Sequence, residues 1–321
     1  MSKKLKILVI RFSSIGDIIL TTPVIRCIKQ QINAEIDYLT KKEYVGLLNT
    51  NPNIKKIVAF NYNLSQIIES LKEERYDIII DLQNNLRSSR IKWSLKVKSY
   101  TVSKQTIKRQ LLIYFGINLL KNHVVDRYFK TVEKLNIHND NNGLDYFIDS
   151  KSKINYNINQ DYVAWSIGGN YVQKRLSVKQ IQTVINRLDL PVILLGGNNE
   201  RVIGDEIVSK IKSNDVVNFC GRLSIDESAY LIKHSQLLLT NDTGMMHIGT
   251  CFDIPLISFW GCTKPSLGFS PYIAKNTSIE LLSKQSQYPC SRHGSSCKFS
   301  KEGCVKTIST QEIYDNVIAL L

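Results

Sequence analysis

Asn241-Asp242-Thr243-Gly244-Met245-Met246-His247 puts a carboxylate, a hydroxyl, a glycine and an imidazole into one short stretch. An apolar run, Leu237-Leu238-Leu239, precedes it, and a helical segment, residues 245–251, begins within it. Free N–H groups and the positive dipole end at a helix start attract phosphate. The same residues also serve ordinary helix caps through Asp242 or Thr243, so spacing alone leaves both readings open. His247 is placed to donate to phosphate, or to sit as a capping or core histidine. Lys174 and Arg175 follow Gly168-Gly169-Asn170, and cations there suit a diphosphate, bound or departing. Glu200 closes a second glycine turn, Gly196-Gly197-Asn198-Asn199-Glu200. At the other end of the chain, Asp17 follows an apolar strand and is flanked by Ser13, Ser14 and Gly16. A carboxylate there either accepts a proton from an attacking hydroxyl or caps the next helix.

The seven cysteines divide into two groups. Cys27, Cys220, Cys251 and Cys262 lie in or beside apolar segments and read as buried thiols. Cys290, His293, Cys297 and Cys304 lie in a Ser/Gly-rich stretch, but zinc favours Cys pairs only two to four residues apart. The expectation is free thiols and no metal. Neither the G-x-G-x-x-G fingerprint nor the G-x-x-x-x-G-K-[ST] loop occurs, which argues against a dinucleotide oxidoreductase and a P-loop nucleotidase. No cofactor is expected.

Elements that would position these residues alternate along the chain. Strands are expected at residues 5–11, 35–40, 56–60 and 76–82, with helices at 18–32, 41–48 and 64–75. Pro23 lies in the first helix and either starts it or bends it. Residues 84–137 read as helices around a short strand near 99–102. Their aromatics, Trp93, Tyr100, Tyr114, Phe115, Tyr128 and Phe129, are expected on buried helix faces. Residues 136–160 are rich in Asn, Asp, Ser and Lys and form the linker, with one short strand at 144–148. The pattern then restarts, with strands at 162–167, 192–195, 216–219, 237–239 and 255–260. Helices are expected at 178–188, 201–211, 225–234 and 311–321; Ser177 caps the first, and Ser224 with Glu227 the third. Repeated β–α–β units imply parallel sheets with right-handed crossovers.

A chain of 321 residues supports two domains, here 1–155 and 156–321. Hydrophobic content of 43% and charged content of 22% are ordinary for a globular protein. No apolar run reaches membrane-spanning length. The start, Met1-Ser2-Lys3-Lys4, leads straight into a short apolar run without a cleavage site, which reads as a first strand in a cytoplasmic protein. The net charge of +14 is concentrated between Arg87 and Lys130, where Asp126 is the only acid. Such a face suits an acidic partner: nucleic acid, anionic lipid, or a phosphorylated or carboxylated substrate.

Taken together, these positions resemble glycosyltransferase family 9, the ADP-heptose:lipopolysaccharide heptosyltransferases. Residues 7–23, ILVIRFSSIGDIILTTP, are similar to the family's opening motif, and Asn241–His247 to its donor-site motif. Phe259-Trp260-Gly261-Cys262-Thr263-Lys264-Pro265 and the stretch from Tyr288-Pro289-Cys290 resemble the segments that follow. The resemblance implies an α/β GT-B fold, with two Rossmann-like domains whose parallel sheets face a central cleft. The N-terminal domain would take the acceptor and the C-terminal domain the nucleotide sugar. The implied reaction is inverting, metal-independent transfer of a heptose from ADP-heptose to an acidic lipopolysaccharide-core acceptor. Asp17 is then the general base, and Lys174 contacts the donor's phosphate and sugar. Glu200 roughly matches a ribose-binding carboxylate. Asp242 holds the sugar, Thr243 and Gly244 offer N–H groups to the diphosphate, and His247 supports them. Ser14, Arg87 and Arg90 are the expected acceptor contacts. Peripheral contact with the cytoplasmic face of the inner membrane fits the basic stretch, and nucleic acid is not an expected partner. The sequence departs from the family in the Met245-Met246 pair and around residues 84–138. The alternatives are a transferase using another nucleotide sugar, an epimerase, or a non-catalytic basic GT-B-like protein binding anionic membrane or nucleic acid.

Overall fold

Each half of the chain builds one parallel sheet because its central strands are buried on both faces and most of its crossovers are helical. The structure, a computed structural model, describes residues 4–61, 63–152, 161–211 and 215–321. It divides into two compact units, Met1–Gln105 with Asn122–Asp149, and Thr106–Lys121 with Ser150–Leu321.

The first unit runs β1 (Leu5–Ile10), α1 (Ile15–Ile19), α2 (Thr22–Gln31), β2 (Ala34–Lys41), β3 (Lys56–Phe60), α3 (Leu64–Glu73), β4 (Ile78–Asp81), α4 (Leu86–Leu95) and β5 (Lys98–Thr101). After α5 (Thr106–Phe115), which belongs to the second unit, α6 (Val124–Val132) returns to the first. The strand order is β3-β2-β1-β4-β5, all parallel. Ile7, Leu8, Val9 and Ile10 of β1 are fully buried, as the central strand requires.

The helix expected at 18–32 is two helices, with Thr21 as N-cap of α2 and Pro23 in its first turn, where its fixed φ is tolerated. The strand expected at 144–148 is absent. That segment lies extended, and side chains satisfy its backbone in place of a neighbouring strand. Thr22 Oγ1 accepts from the Asp145 N–H at 2.9 Å, Thr50 Oγ1 donates to the Phe147 carbonyl, and Arg26 pairs with Asp140 and Asp145. Residues 153–160 of the expected linker lie outside the described residues.

The aromatics are split. Tyr128 and Phe129 are buried on α6, but Trp93, Tyr114 and Phe115 are 78%, 70% and 73% exposed, against expectation. The reason is a narrow inner face: α4 buries only Ser88 and Ile91, and α5 only Arg109, Leu112 and Ile113.

The second unit runs β6 (Val163–Ser166), α7 (Val178–Ile185), β7 (Val192–Leu195), α8 (Arg201–Ser209), β8 (Val216–Asn218), α9 (Ile225–Lys233), β9 (Leu237–Asn241), α10 (Gly244–Thr250), β10 (Leu256–Trp260), β11 (Ser278–Leu282) and α11 (Thr310–Leu320). Its order is β11-β10-β9-β6-β7-β8, again all parallel. Ser177 and Ser224 cap α7 and α9 as expected, accepting from the N–H groups of Gln180 and Glu227 at 3.2 Å each. β11 has no counterpart in the sequence reading. It is an edge strand with one partner and mostly half-buried side chains, so it lacks a continuous apolar run.

Candidate active site

In an open parallel sheet, loops at the carboxyl ends of strands part where the strand order reverses, and ligands bind there. The second sheet reverses between β6 and β9, and the first between β1 and β4. Lys174, Asp242 and Thr243 lie on the loops at the second reversal, Asp17 on the helix after β1, and Glu200 in the turn after β7.

After β6 comes a short 3-10 turn, Val172–Lys174. After β9 comes Asp242, then Thr243 as N-cap of α10. Lys174 Nζ meets Asp242 Oδ2 at 2.6 Å, with side chains 14% and 12% exposed. Thr263 Oγ1, just past β10, donates to the same oxygen at 2.7 Å. Asn241 Nδ2 donates to the carbonyls of Ile167 and Gly168 at 3.0 and 2.8 Å, which ties the end of β9 to the end of β6. The Thr243 hydroxyl is buried without a hydrogen-bond partner among the described residues. Such an orphan at a helix start is a donor and acceptor held ready. His247 is buried one turn along α10.

Glu200 is engaged within the protein. Its Oε2 accepts from the Gly197 N–H at 2.9 Å and its Oε1 meets Arg175 Nη2 at 2.7 Å. Arg175 also donates through Nε to the Gly169 carbonyl at 2.8 Å. The loops after β6 and β7 are thereby locked together. Gly196 is needed for that approach, since a Cβ there would sit 2.8 Å from Glu200 Cβ and 3.0 Å from Cys220 Sγ.

In the first unit, Asp17 is the third residue of α1 rather than a loop residue. Its Oδ1 pairs with Arg11 Nη2 at 2.6 Å. Its Oδ2 accepts from the Ser14 N–H at 3.3 Å and the Ser14 hydroxyl at 3.2 Å. Arg11 is itself anchored, donating from Nη1 to the Leu82 carbonyl at 2.7 Å and from Nε to that of Ser13 at 2.9 Å. The Gln83 side chain accepts from the Phe12 N–H at 2.9 Å, joining the ends of β1 and β4. Desolvation pushes the Asp17 carboxyl up. The Arg11 charge and the hydrogen bonds from Ser14 and Arg11 outweigh it and hold the group below the usual carboxylate range. Asp17 is thus ionised at neutral pH, and its side chain is 26% exposed. Arg87 and Arg90 are exposed on α4, with Arg87 over the Phe60 ring at 5.9 Å.

Arg11 and Thr263 escaped the sequence reading. A lone arginine closing an otherwise apolar strand was the available signal for the first. Thr263 needed the knowledge that β10 lies beside β9. The cysteines also differ from expectation in their grouping. Cys262, expected to be buried and buried here, joins Cys290, Cys297 and Cys304, with all four Sγ atoms within 4.8 Å of one another.

Two parallel-sheet α/β units with a cationic loop at a strand-order reversal form the GT-B architecture expected from the sequence. The whole chain superposes on a glycosyltransferase family 9 structure from Veillonella parvula with a TM-score of 0.81 at 18% identity, covering 100% of this chain and 98% of that one. It also matches an E. coli ADP-heptose LPS heptosyltransferase II, with a TM-score of 0.72 at 19% identity, over 98% of both chains. In sequence it is 23% identical over 292 residues to lipopolysaccharide heptosyltransferase 1 of Campylobacter coli, covering 81% of this chain and 84% of that protein. The model of glycosyltransferase family 9 (heptosyltransferase) matches residues 64–300, and the chain belongs to that family. Lys174, Glu200 and Asn241–His247 lie within the matched span, whereas Asp17 precedes it. Among the described residues, no helix is long and apolar enough to cross a membrane.

Proposed function

We infer that this enzyme transfers a heptose from ADP-heptose to an acidic lipopolysaccharide-core acceptor, with inversion and without a metal ion at the reacting carbon. The observation that carries this reading is the Lys174–Asp242 pair at the strand-order reversal of the second sheet. The Campylobacter coli and E. coli proteins, which are lipopolysaccharide heptosyltransferases, support the sugar and the acceptor class. On this reading residues 1–155 serve the acceptor and residues 156–321 the donor.

An inverting transfer is a single displacement. The acceptor oxygen bonds to the anomeric carbon as the bond to the diphosphate oxygen breaks. The acceptor proton goes to Asp17, and the leaving ADP carries the extra negative charge. Lys174 and the N–H groups of Thr243 and Gly244 offset that charge, with His247 behind them. Asp242 accepts from the sugar hydroxyls. Glu200 keeps lone pairs for the ribose beyond its two internal partners. Ser14, Arg87 and Arg90 meet the acceptor. Leu86 and Trp93, 90% and 78% exposed beside Arg87 and Arg90 on α4, suit the surface of an anionic leaflet on the cytoplasmic side.

The donor is tested by thermal shift against ADP, UDP, GDP and CMP, followed by transfer from ADP-heptose to a Kdo-bearing lipid acceptor. ADP at 100 times its Kd should stabilise by about 2.7 kcal/mol, a shift of several degrees, with the others near zero. A larger shift with UDP or GDP would overturn the donor assignment.

Arg11→Met tests the base. In the wild type, the depressed Asp17 leaves turnover flat from neutral pH until the pH falls below the ordinary carboxylate value of about 3.9. Without the Arg11 charge the Asp17 carboxyl rises, so the acid limb should move to higher pH, with kcat lower by up to about 10²-fold. The stability linkage has the same sign. A depressed carboxylate stabilises the fold above its unfolded pKa, and that contribution is lost as pH falls through the folded one. Unchanged pH dependence of kcat in the variant would show that Asp17 is not the titrating base.

A further inference from the structure

We propose that Cys262, Cys290, Cys297 and Cys304 bind one thiolate-preferring divalent ion, of the zinc or ferrous class, that fastens residues 290–304 to the rest of the second unit. The proposal is independent of the donor reading. Four Sγ atoms lie within 4.8 Å of one another, Cys262 and Cys304 at 3.7 Å and Cys290 and Cys297 at 4.0 Å. A disulfide would require about 2.05 Å. A tetrahedron with metal–sulfur bonds of about 2.3 Å has edges of about 3.8 Å. The observed spacings fit the second figure. A four-sulfur tetrahedral set selects zinc or iron over magnesium or calcium.

The surroundings suit thiolates. Binding one divalent ion by four thiols releases four protons and leaves the centre with two negative charges. Lys264, two residues after Cys262 and 4% exposed, is a buried cation whose Nζ donates to the Ser283 carbonyl at 2.7 Å. The Phe299 N–H donates to Cys297 Sγ at 3.5 Å. The Cys290 N–H donates to the Cys262 carbonyl at 2.8 Å, which fixes two ligands relative to each other. Three of the four cysteines are buried and Cys297 is half-buried, so the site is closed, as structural sites are.

The ligands come from two places in the chain. Cys262 stands directly after β10, and the other three lie on a segment that has little secondary structure among its described residues. A segment rich in Ser and Gly buries too little apolar surface to order itself, and a metal offsets that cost. This one is ordered against the loop that carries Lys174. A Cβ on Gly303 would fall on the backbone of Gln173, and one on Gly294 on the Lys174 side chain. Gln173 Nε2 donates to the Lys301 carbonyl at 3.1 Å. The ion would therefore hold the outer wall of the Lys174 loop without taking part in the transfer.

The test is metal content of the full chain, purified under reducing conditions and then reconstituted separately with Zn²⁺ and Fe²⁺. One equivalent of either ion is expected, and Co²⁺ in its place should show the intense visible absorption of tetrahedral thiolate coordination. Cys297→Ser, at the least buried ligand, should lower retention after dialysis against a chelator at least tenfold. It should also speed amide exchange in residues 290–304. Where that variant fails to fold, the wild type serves: titrating its thiols with a mercurial should release the ion in step with four cysteines. Less than a tenth of an equivalent after reconstitution, or four freely reactive thiols in the as-purified chain, would overturn the proposal. A pair of disulfides in non-reducing mass spectra would do the same.

Discussion

Asp17→Asn should lower kcat for heptose transfer by about 10²–10⁴-fold, the range for losing a general base, while the thermal shift produced by ADP is retained. That factor corresponds to about 3–5 kcal/mol in the barrier. Asparagine keeps the shape of the side chain and its acceptance from Ser14, but it cannot take the acceptor proton. The donor residues belong to the second unit and Asp17 to the first, so ADP binding has no direct reason to change. The substitution also leaves Arg11, 12% exposed, without its ion-pair partner. Some loss of stability in the first unit is therefore expected, and kcat must be read well below the variant's Tm. Equal loss of transfer and of the ADP shift would show that Asp17 holds the fold rather than the proton. Retention of more than a tenth of kcat would assign the base elsewhere.

The two sheets could be read from sequence because their central strands hold unbroken apolar runs, such as residues 7–10 and 237–239. A buried strand has no polar alternative at these positions, so pattern and structure coincide. The strand at 144–148 failed for the opposite reason. Its alternation of Leu144 and Tyr146 buries two side chains against the first unit, which is what a strand does too. Thr22 and Thr50, each roughly a hundred residues away in sequence, take its backbone groups, and Arg26 pins the chain just before it. The exposed Trp93, Tyr114 and Phe115 show the same limit, because periodicity marks a face without saying whether anything covers it. At the site, the residues on strand-end loops were visible as types, but their pairings were not. Lys174 with Asp242, Arg175 with Glu200 and Arg11 with Asp17 each depend on which strands are neighbours. The four cysteines are the plainest case. Cys262 is adjacent to its partners only because the tail returns to the end of β10.

Lys174 and Asp242 should separate under mutation in a way that depends on the ligand. In the free enzyme they neutralise each other, with Thr263 as a third member. On the proposed reading, Lys174→Ala removes the cation that meets the leaving diphosphate and leaves Asp242 as an uncompensated negative charge there. ADP affinity should fall, and kcat/KM for ADP-heptose should drop by about 10²–10³-fold. Asp242→Ala does the reverse, freeing Lys174 for the diphosphate. ADP should then bind as well as, or better than, to the wild type, while kcat/KM for ADP-heptose falls at least tenfold because the sugar has lost its acceptor. The double variant should be less impaired than the sum of the two, since each single change strands a partly buried charge that the pair does not. Isothermal titration with ADP alongside steady-state transfer separates these outcomes. If Asp242→Ala weakened ADP as much as Lys174→Ala, Asp242 would be acting only to position the lysine. If neither variant changed ADP affinity, the diphosphate would bind away from the loops after β6 and β9.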